Sequence, residues 1–151
     1  MRHIETVRNI LGTVIKDLVN RCSKHDQSKL QPPEVEIFEE FTPKLRDLTY
    51  GSEEYKQALA GMEPALTHHY FNNSHHPEFY INGIEEMNLI DVLEMLCDWK
   101  AATLRHNDGD IFKSIKINQE RFGIDDQMTA ILRNTAEWLE KQNYFDRADE
   151  S

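Results

Sequence analysis

Apolar residues in this chain recur at steps of three and four and nowhere in sustained two-residue alternation, a pattern that restricts the fold to packed helices. In the first segment Ile4, Val7, Ile10, Leu11, Val14, Ile15, Leu18 and Val19 form one apolar stripe on a helix of about 20 residues. Gly12 weakens that helix without ending it. Pro32-Pro33 closes a short segment that carries His25 and Asp26, and Pro33 can open the next helix, through Val35, Ile37, Phe38, Phe41 and Leu45. A turn at Tyr50-Gly51-Ser52 places Ser52 as N-cap of a helix bearing Tyr55, Leu59, Met62 and Leu66, with Pro64 a point of kinking or restart. After a loop at 72–77, Asn88 caps the most apolar helix, from Leu89 to Arg105, expected at the centre of the fold. A turn at Asn107-Asp108-Gly109-Asp110 leads into a helix through Ile111, Ile115 and Ile117, and Asp125 or Asp126 begins a last one through Ile131, Leu132 and Trp138. The expectation is an all-α, compact single-domain helical bundle over residues 1–145, followed by a polar tail at 146–151.

A chain of 151 residues buries a sufficient core without staples, so a bound metal would serve chemistry. The two cysteines, Cys22 and Cys97, sit inside apolar patterns and indicate neither a disulfide framework nor a thiolate zinc site. The opening residues lack a signal-peptide pattern, and no apolar run approaches the ~20 residues that span a bilayer. A cytoplasmic protein without a membrane partner is expected. With 27 acidic residues against 17 Lys plus Arg, the net charge of -10 repels extended nucleic acid. Small anionic substrates remain open, because a bound divalent cation dominates its local field. A homo-oligomer also remains open.

Four of the seven histidines, His68, His69, His75 and His76, crowd into residues 68–76. Imidazole is the commonest side-chain ligand of transition metals, and carboxylates complete such sites. Asp98 interrupts the apolar run of the central helix, where a buried carboxylate requires a metal, a cationic partner or hydrogen bonds. Asp91, seven residues earlier on nearly the same face, is its rival, although a position near the helix start also suits the helix dipole. His3 shares the first helix's apolar face through its spacing to Val7, Ile10 and Val14, and is expected to point inward. His25-Asp26 follows directly after that helix.

The order His, His-Asp, further histidines, then a helical Asp resembles the HD superfamily of metal-dependent phosphohydrolases over residues 3 to 98. The resemblance implies an HD-type helical domain in which His3, His25, Asp26 and Asp98 ligate one metal. Members with a second ion add histidines in the interval that His68, His69, His75 and His76 occupy, with Asp26 then bridging both ions. The run His25-Asp26-Gln27-Ser28-Lys29 is similar to the HD-x-x-Lys run of HD-GYP phosphodiesterases, which implies a phosphate contact for Lys29. The run from His75 to Gly83 is similar to the His-His-Glu opening of those enzymes, but Pro77 is inserted and the Gly-Tyr-Pro signature is absent, so cyclic dinucleotides are not implied. The whole chain, including residues 98–102 and 118–122, more closely resembles an uncharacterised HD-like family of bacteria and phages.

The chemistry implied is hydrolysis of a nucleotide or another small phosphate ester by a metal-activated water, with one or two divalent ions drawn from Mn, Fe, Co, Mg or Zn. Asp26 and Lys29 are the expected catalytic residues. His69 and His75 are taken as ligands of a second ion, while His68 and His76, their neighbours, can hold substrate or orient a ligand. Glu78 is a further acid or base in reach of the histidines in sequence. Lys100, Arg105 and Arg121 extend a positive patch, and His106 suits the end of the central helix. Two other classes compete: an HD-type di-iron oxygenase and a non-catalytic nucleotide-binding phage protein.

Overall fold

The computed structural model describes residues 2–47, 52–104 and 109–142. The chain is all-α, with six α-helices among those residues and no strand. By its internal contacts the chain groups into two compact units, Met1–Ile81 and Asn82–Ser151. The turn residues Tyr50, Gly51, Asn107 and Asp108, the expected patch residue Arg105, His106 and the tail at 146–151 lie outside the described residues. No described helix is long and apolar enough to cross a membrane.

The first unit holds α1 (Arg2–Lys24), α2 (Glu34–Asp47) and α3 (Glu53–Asn72), with short 3-10 turns at Gln27–Leu30 and Pro77–Phe79. Helices α2 and α3 pack along one another, and both turns pack on α3. The two helices meet closely at Gly61, where a Cβ would stand 2.4 Å from the Phe41 ring. Ala58, Met62, Ala65, His69 and Asn73 are buried at helical spacing and make one inward stripe of α3 and the turn that follows it. Pro64 neither restarts nor ends α3: Pro64 and Ala60 are both exposed, so the carbonyl the ring leaves unbonded can face water. No residue of α1 is buried. That helix ends where the His25 amide donates to the Arg21 carbonyl at 2.7 Å and Asp26 takes a left-handed backbone, φ 55° and ψ 20°.

The second unit holds α4 (Leu89–Thr103), α5 (Ile111–Phe122) and α6 (Asp126–Glu140). Each begins on a side-chain cap. Asn88 accepts from the Ile90 and Asp91 amides, Asp110 from Phe112 and Lys113, and Asp125 from Met128, so Asp125 rather than Asp126 starts the last helix. Gly123, at φ 64°, closes α5 in the left-handed region that glycine occupies without penalty. Val92, Met95 and Leu96 of α4 meet Ile111 and Ile115 of α5 and Leu132 and Ala136 of α6 in a common core. Lys100 is buried and pairs with Glu140, which ties α4 to α6 and removes Lys100 from any open positive patch. Arg121 lies over the Phe122 ring, 4.7 Å from its centroid.

Candidate metal centre

The first unit draws four donors toward one point. Asp26, His69, His75 and His76 can each turn one ligand atom inward, with all four atoms within 4.8 Å of one another. The Nε2 atoms of His69 and His75 each stand 3.4 Å from Asp26 Oδ1, and the Nε2 atoms of His69 and His76 are 2.9 Å apart.

Local structure explains each placement. His69 arrives on the buried stripe of α3, while His68, one step round the helix, is half-buried. Beyond α3, the His76 amide donates to the Asn73 carbonyl at 3.2 Å, reversing the chain so that His75 and His76 return toward His69. Pro77 restricts the residue before it, and His76 is accordingly extended at φ -97° and ψ 129°. Asp26 reaches the cluster from the turn after α1. Its left-handed backbone costs a non-glycine residue about 1–2 kcal/mol, a penalty that glycine would not carry. Asn73 fastens the turn to α3, its Nδ2 donating to Ser28 Oγ and to the His69 carbonyl, both at 2.8 Å.

Behind the cluster lies Glu34, fully buried at the first position of α2. Its Oε1 is 2.7 Å from His68 Nδ1 and its Oε2 is 2.9 Å from His69 Nδ1. A carboxylate without a proton only accepts, and both ring nitrogens then donate to it. In the neutral imidazole this assigns the His69 proton to Nδ1 and leaves the Nε2 lone pair directed at Asp26 and His76. A carboxylate holding the remote nitrogen of an inward imidazole is the usual outer support of a metal-ligating histidine.

With that tautomer, His69 Nε2 and Asp26 Oδ1 are two acceptors facing each other. Asp26 Oδ1 is buried and accepts no hydrogen bond from a described residue. Leaving such an atom unsatisfied costs about 1–3 kcal/mol or more, which a cation at this point would offset. The spacings also suit an ion. With ligand bonds of about 2.1 Å, donors are about 3.4 Å apart around a tetrahedral centre and about 3.0 Å apart around an octahedral one, close to the 3.4, 3.4 and 2.9 Å of the three pairs measured above.

Lys29 Nζ lies 2.6 Å from the other oxygen of Asp26, Oδ2. Burial raises the Asp26 carboxyl, but the group is held below its ordinary value, with the hydrogen bond and the charge of Lys29 the largest lowering causes. Asp26 is thus kept ionised and ready to ligate.

Of the residues expected from the sequence, the first unit brings together Asp26, His69, His75 and Lys29. His25 borders the cluster, its Nε2 3.5 Å from Asp26 Oδ2 and its ring 4.6 Å from that of His75. His76, expected beside the second ion, is one of the four converging donors, whereas His68 turns to Glu34. His3 is exposed, as is most of the stripe it shares, and belongs to no group of three or more ligating side chains among the described residues. Asp98 is on α4 in the second unit and is half-buried; the fully buried carboxylate of that helix is Asp91. Asp91 Oδ2 accepts from the Asn88 amide at 3.2 Å, completing a capping box, which accounts for its burial. Glu78 is exposed.

Sequence reasoning missed Glu34. A usable sign was present: Glu34, Ile37, Phe38 and Phe41 fall at i, i+3, i+4 and i+7, so the acid heads the apolar stripe of its own helix.

No curated protein and no solved structure gives a significant match to the chain. A family model described as a family of unknown function, DUF5662, matches residues 1–142, and the chain therefore belongs to the DUF5662 family.

Proposed function

We propose that the chain is a metal-dependent phosphohydrolase acting on a nucleotide or another small phosphate ester, with its ion held by Asp26, His69, His75 and His76. The observation that carries this reading is the buried Oδ1 of Asp26, which accepts no hydrogen bond among the described residues and has two imidazole Nε2 atoms 3.4 Å away. Three imidazoles and one carboxylate favour a divalent transition ion such as Zn, Fe, Co or Mn over Mg, which prefers oxygen ligands and retained waters. Such an ion, when bound, acidifies water and neutralises phosphoryl charge.

The chain's own residues supply the rest. Glu34 fixes the His69 tautomer, and Asp26 stays ionised beside Lys29. The Lys29 ammonium has three donors and uses one on Asp26, so two remain for a phosphate oxygen. In the net reaction the oxygen of water joins phosphorus, the ester P–O bond breaks, and the leaving oxygen takes up a proton. The resemblance to HD phosphohydrolases supports the same class of reaction.

The test is phosphate or pyrophosphate release from a nucleotide panel by protein loaded with Mn, Co, Fe or Zn. Turnover that is lost in Asp26→Ala with helicity intact supports the proposal. Oxygen consumption without phosphate release would instead indicate an oxygenase, and tight nucleotide binding without product a binding protein; either result rejects hydrolysis.

A further inference from the structure

Asn73 touches all three segments that carry the converging donors. One hydrogen of its Nδ2 goes to Ser28 Oγ at 2.8 Å, on the turn that follows Asp26 and bears Lys29. The other goes to the His69 carbonyl on α3, also at 2.8 Å. Its own carbonyl accepts from the His76 amide at 3.2 Å and so anchors the reversal that returns His75 and His76. Asn73 is buried, and both hydrogens of its amide are used. Asn72 makes the equivalent bond to the His68 carbonyl, at 2.7 Å, from an exposed position. Capping the end of α3 therefore requires no burial, and what distinguishes Asn73 is its bond to Ser28.

We propose that Asn73, acting through Ser28, is a positioning residue of the metal centre and sets the distance between Asp26 and the imidazoles. The inference rests on the centre at Asp26, His69, His75 and His76 read above. Apolar packing does little to hold the turn in place: none of Gln27–Leu30 is buried, and Leu30 is 69% exposed. The donors do not hold one another either. In the tautomer that Glu34 fixes, His69 Nε2 and Asp26 Oδ1 are two acceptors 3.4 Å apart, and without an ion between them they repel. Lys29 pairs with Asp26 inside the same turn and gives no tie to α3. Ser28 Oγ also stands 3.3 Å from His69 Nδ1, but the proton of that nitrogen goes to Glu34 at the shorter 2.9 Å. The Asn73 bond to Ser28 thus offsets the repulsion and keeps the donors gathered before an ion arrives. Its loss lets the carboxylate draw back, so that binding must first bring the donors together again.

The test is cobalt affinity of the full chain, by competition with a chromophoric chelator, together with the visible d–d bands, in Asn73→Ala, Ser28→Ala, the double variant and Ser28→Thr. Each alanine variant should bind about 10-fold more weakly, with bands shifted from wild type as the carboxylate withdraws, although all four donors are still present. The double variant should lose no more than about 2-fold beyond either single one, since both remove one bond, and Ser28→Thr, which keeps the hydroxyl, should stay near wild type. If Asn73→Ala perturbs the helical circular dichroism, Ser28→Ala against Ser28→Thr decides alone. Folded alanine variants with wild-type Kd and bands overturn the inference and leave the metal centre standing, as do losses that multiply in the double variant. Wild type that takes up no cobalt overturns both.

Discussion

Replacing Glu34 by Gln tests the support behind the metal centre with almost no change of shape. The carboxylate is wholly buried and accepts one hydrogen bond from each of two rings, at 2.7 Å from His68 Nδ1 and 2.9 Å from His69 Nδ1. An amide has one accepting oxygen and one donating nitrogen, so it satisfies only one ring. If its oxygen faces His68, its NH₂ opposes the Nδ1–H of His69. That ring escapes the clash by moving its proton to Nε2, which takes a lone pair away from the cluster. If the oxygen faces His69 instead, the tautomer survives but the ring loses a charged acceptor and becomes a weaker donor to metal. Loss of an outer partner of this kind lowers metal affinity about 10–100-fold, or about 1.4–2.7 kcal/mol. The assay is competition for Zn or Co against a chromophoric chelator, with circular dichroism as the control for folding. A folded Glu34→Gln protein whose Kd stays within a factor of two of wild type would refute the role assigned to Glu34.

His69→Ala removes a converging donor and should weaken metal more than the about 10–100-fold expected of an outer partner, whereas His68→Ala should stay at or below that range in the same titration. Asp26→Gly should abolish binding while thermal unfolding of the metal-free protein changes by no more than about 1–2 kcal/mol, because relief of the left-handed backbone offsets the lost Lys29 pair. The lowered Asp26 pKa means that its contribution to stability is present above the ordinary value of 3.8 and lost as pH falls through the folded one; Lys29→Met removes the largest lowering causes and should raise the carboxyl, read by carboxyl-carbon NMR titration. Asp98→Ala tests the ligand role that the HD resemblance implies: reduced metal stoichiometry or affinity supports it, and an unaltered isotherm rejects it.

Much of this architecture was legible in the sequence, and the parts that were not share a physical cause. Periodicity reports which face of a helix is apolar but not what covers it. It named Leu59, Met62 and Leu66 on α3, of which only Met62 lies on the buried stripe 58-62-65-69-73 that distinguishes His69 from His68, and the same reasoning turned His3 inward on α1, whose stripe is mostly exposed. Helix phase also left Asp91 and Asp98 equivalent, since seven residues are nearly two turns. Burial separates them because Asp91 sits at the start of α4 and closes a capping box with Asn88. Glu34 went unread because an acid in the first turn of a helix ordinarily signifies dipole complementation, and only the packing of α2 on α3 shows that its acceptors meet two histidines. The role of His76 emerged from the reversal after Asn73 and the constraint of Pro77, neither of which is periodic.

Cobalt titration of the metal-free full chain, followed by visible absorption, addresses the centre most directly. Binding with d–d bands of a nitrogen and oxygen ligand set, lost together in His69→Ala and His75→Ala, is the predicted result. A chain that takes up no cobalt, or binds it equally well without those imidazoles, would contradict a metal centre at Asp26, His69, His75 and His76.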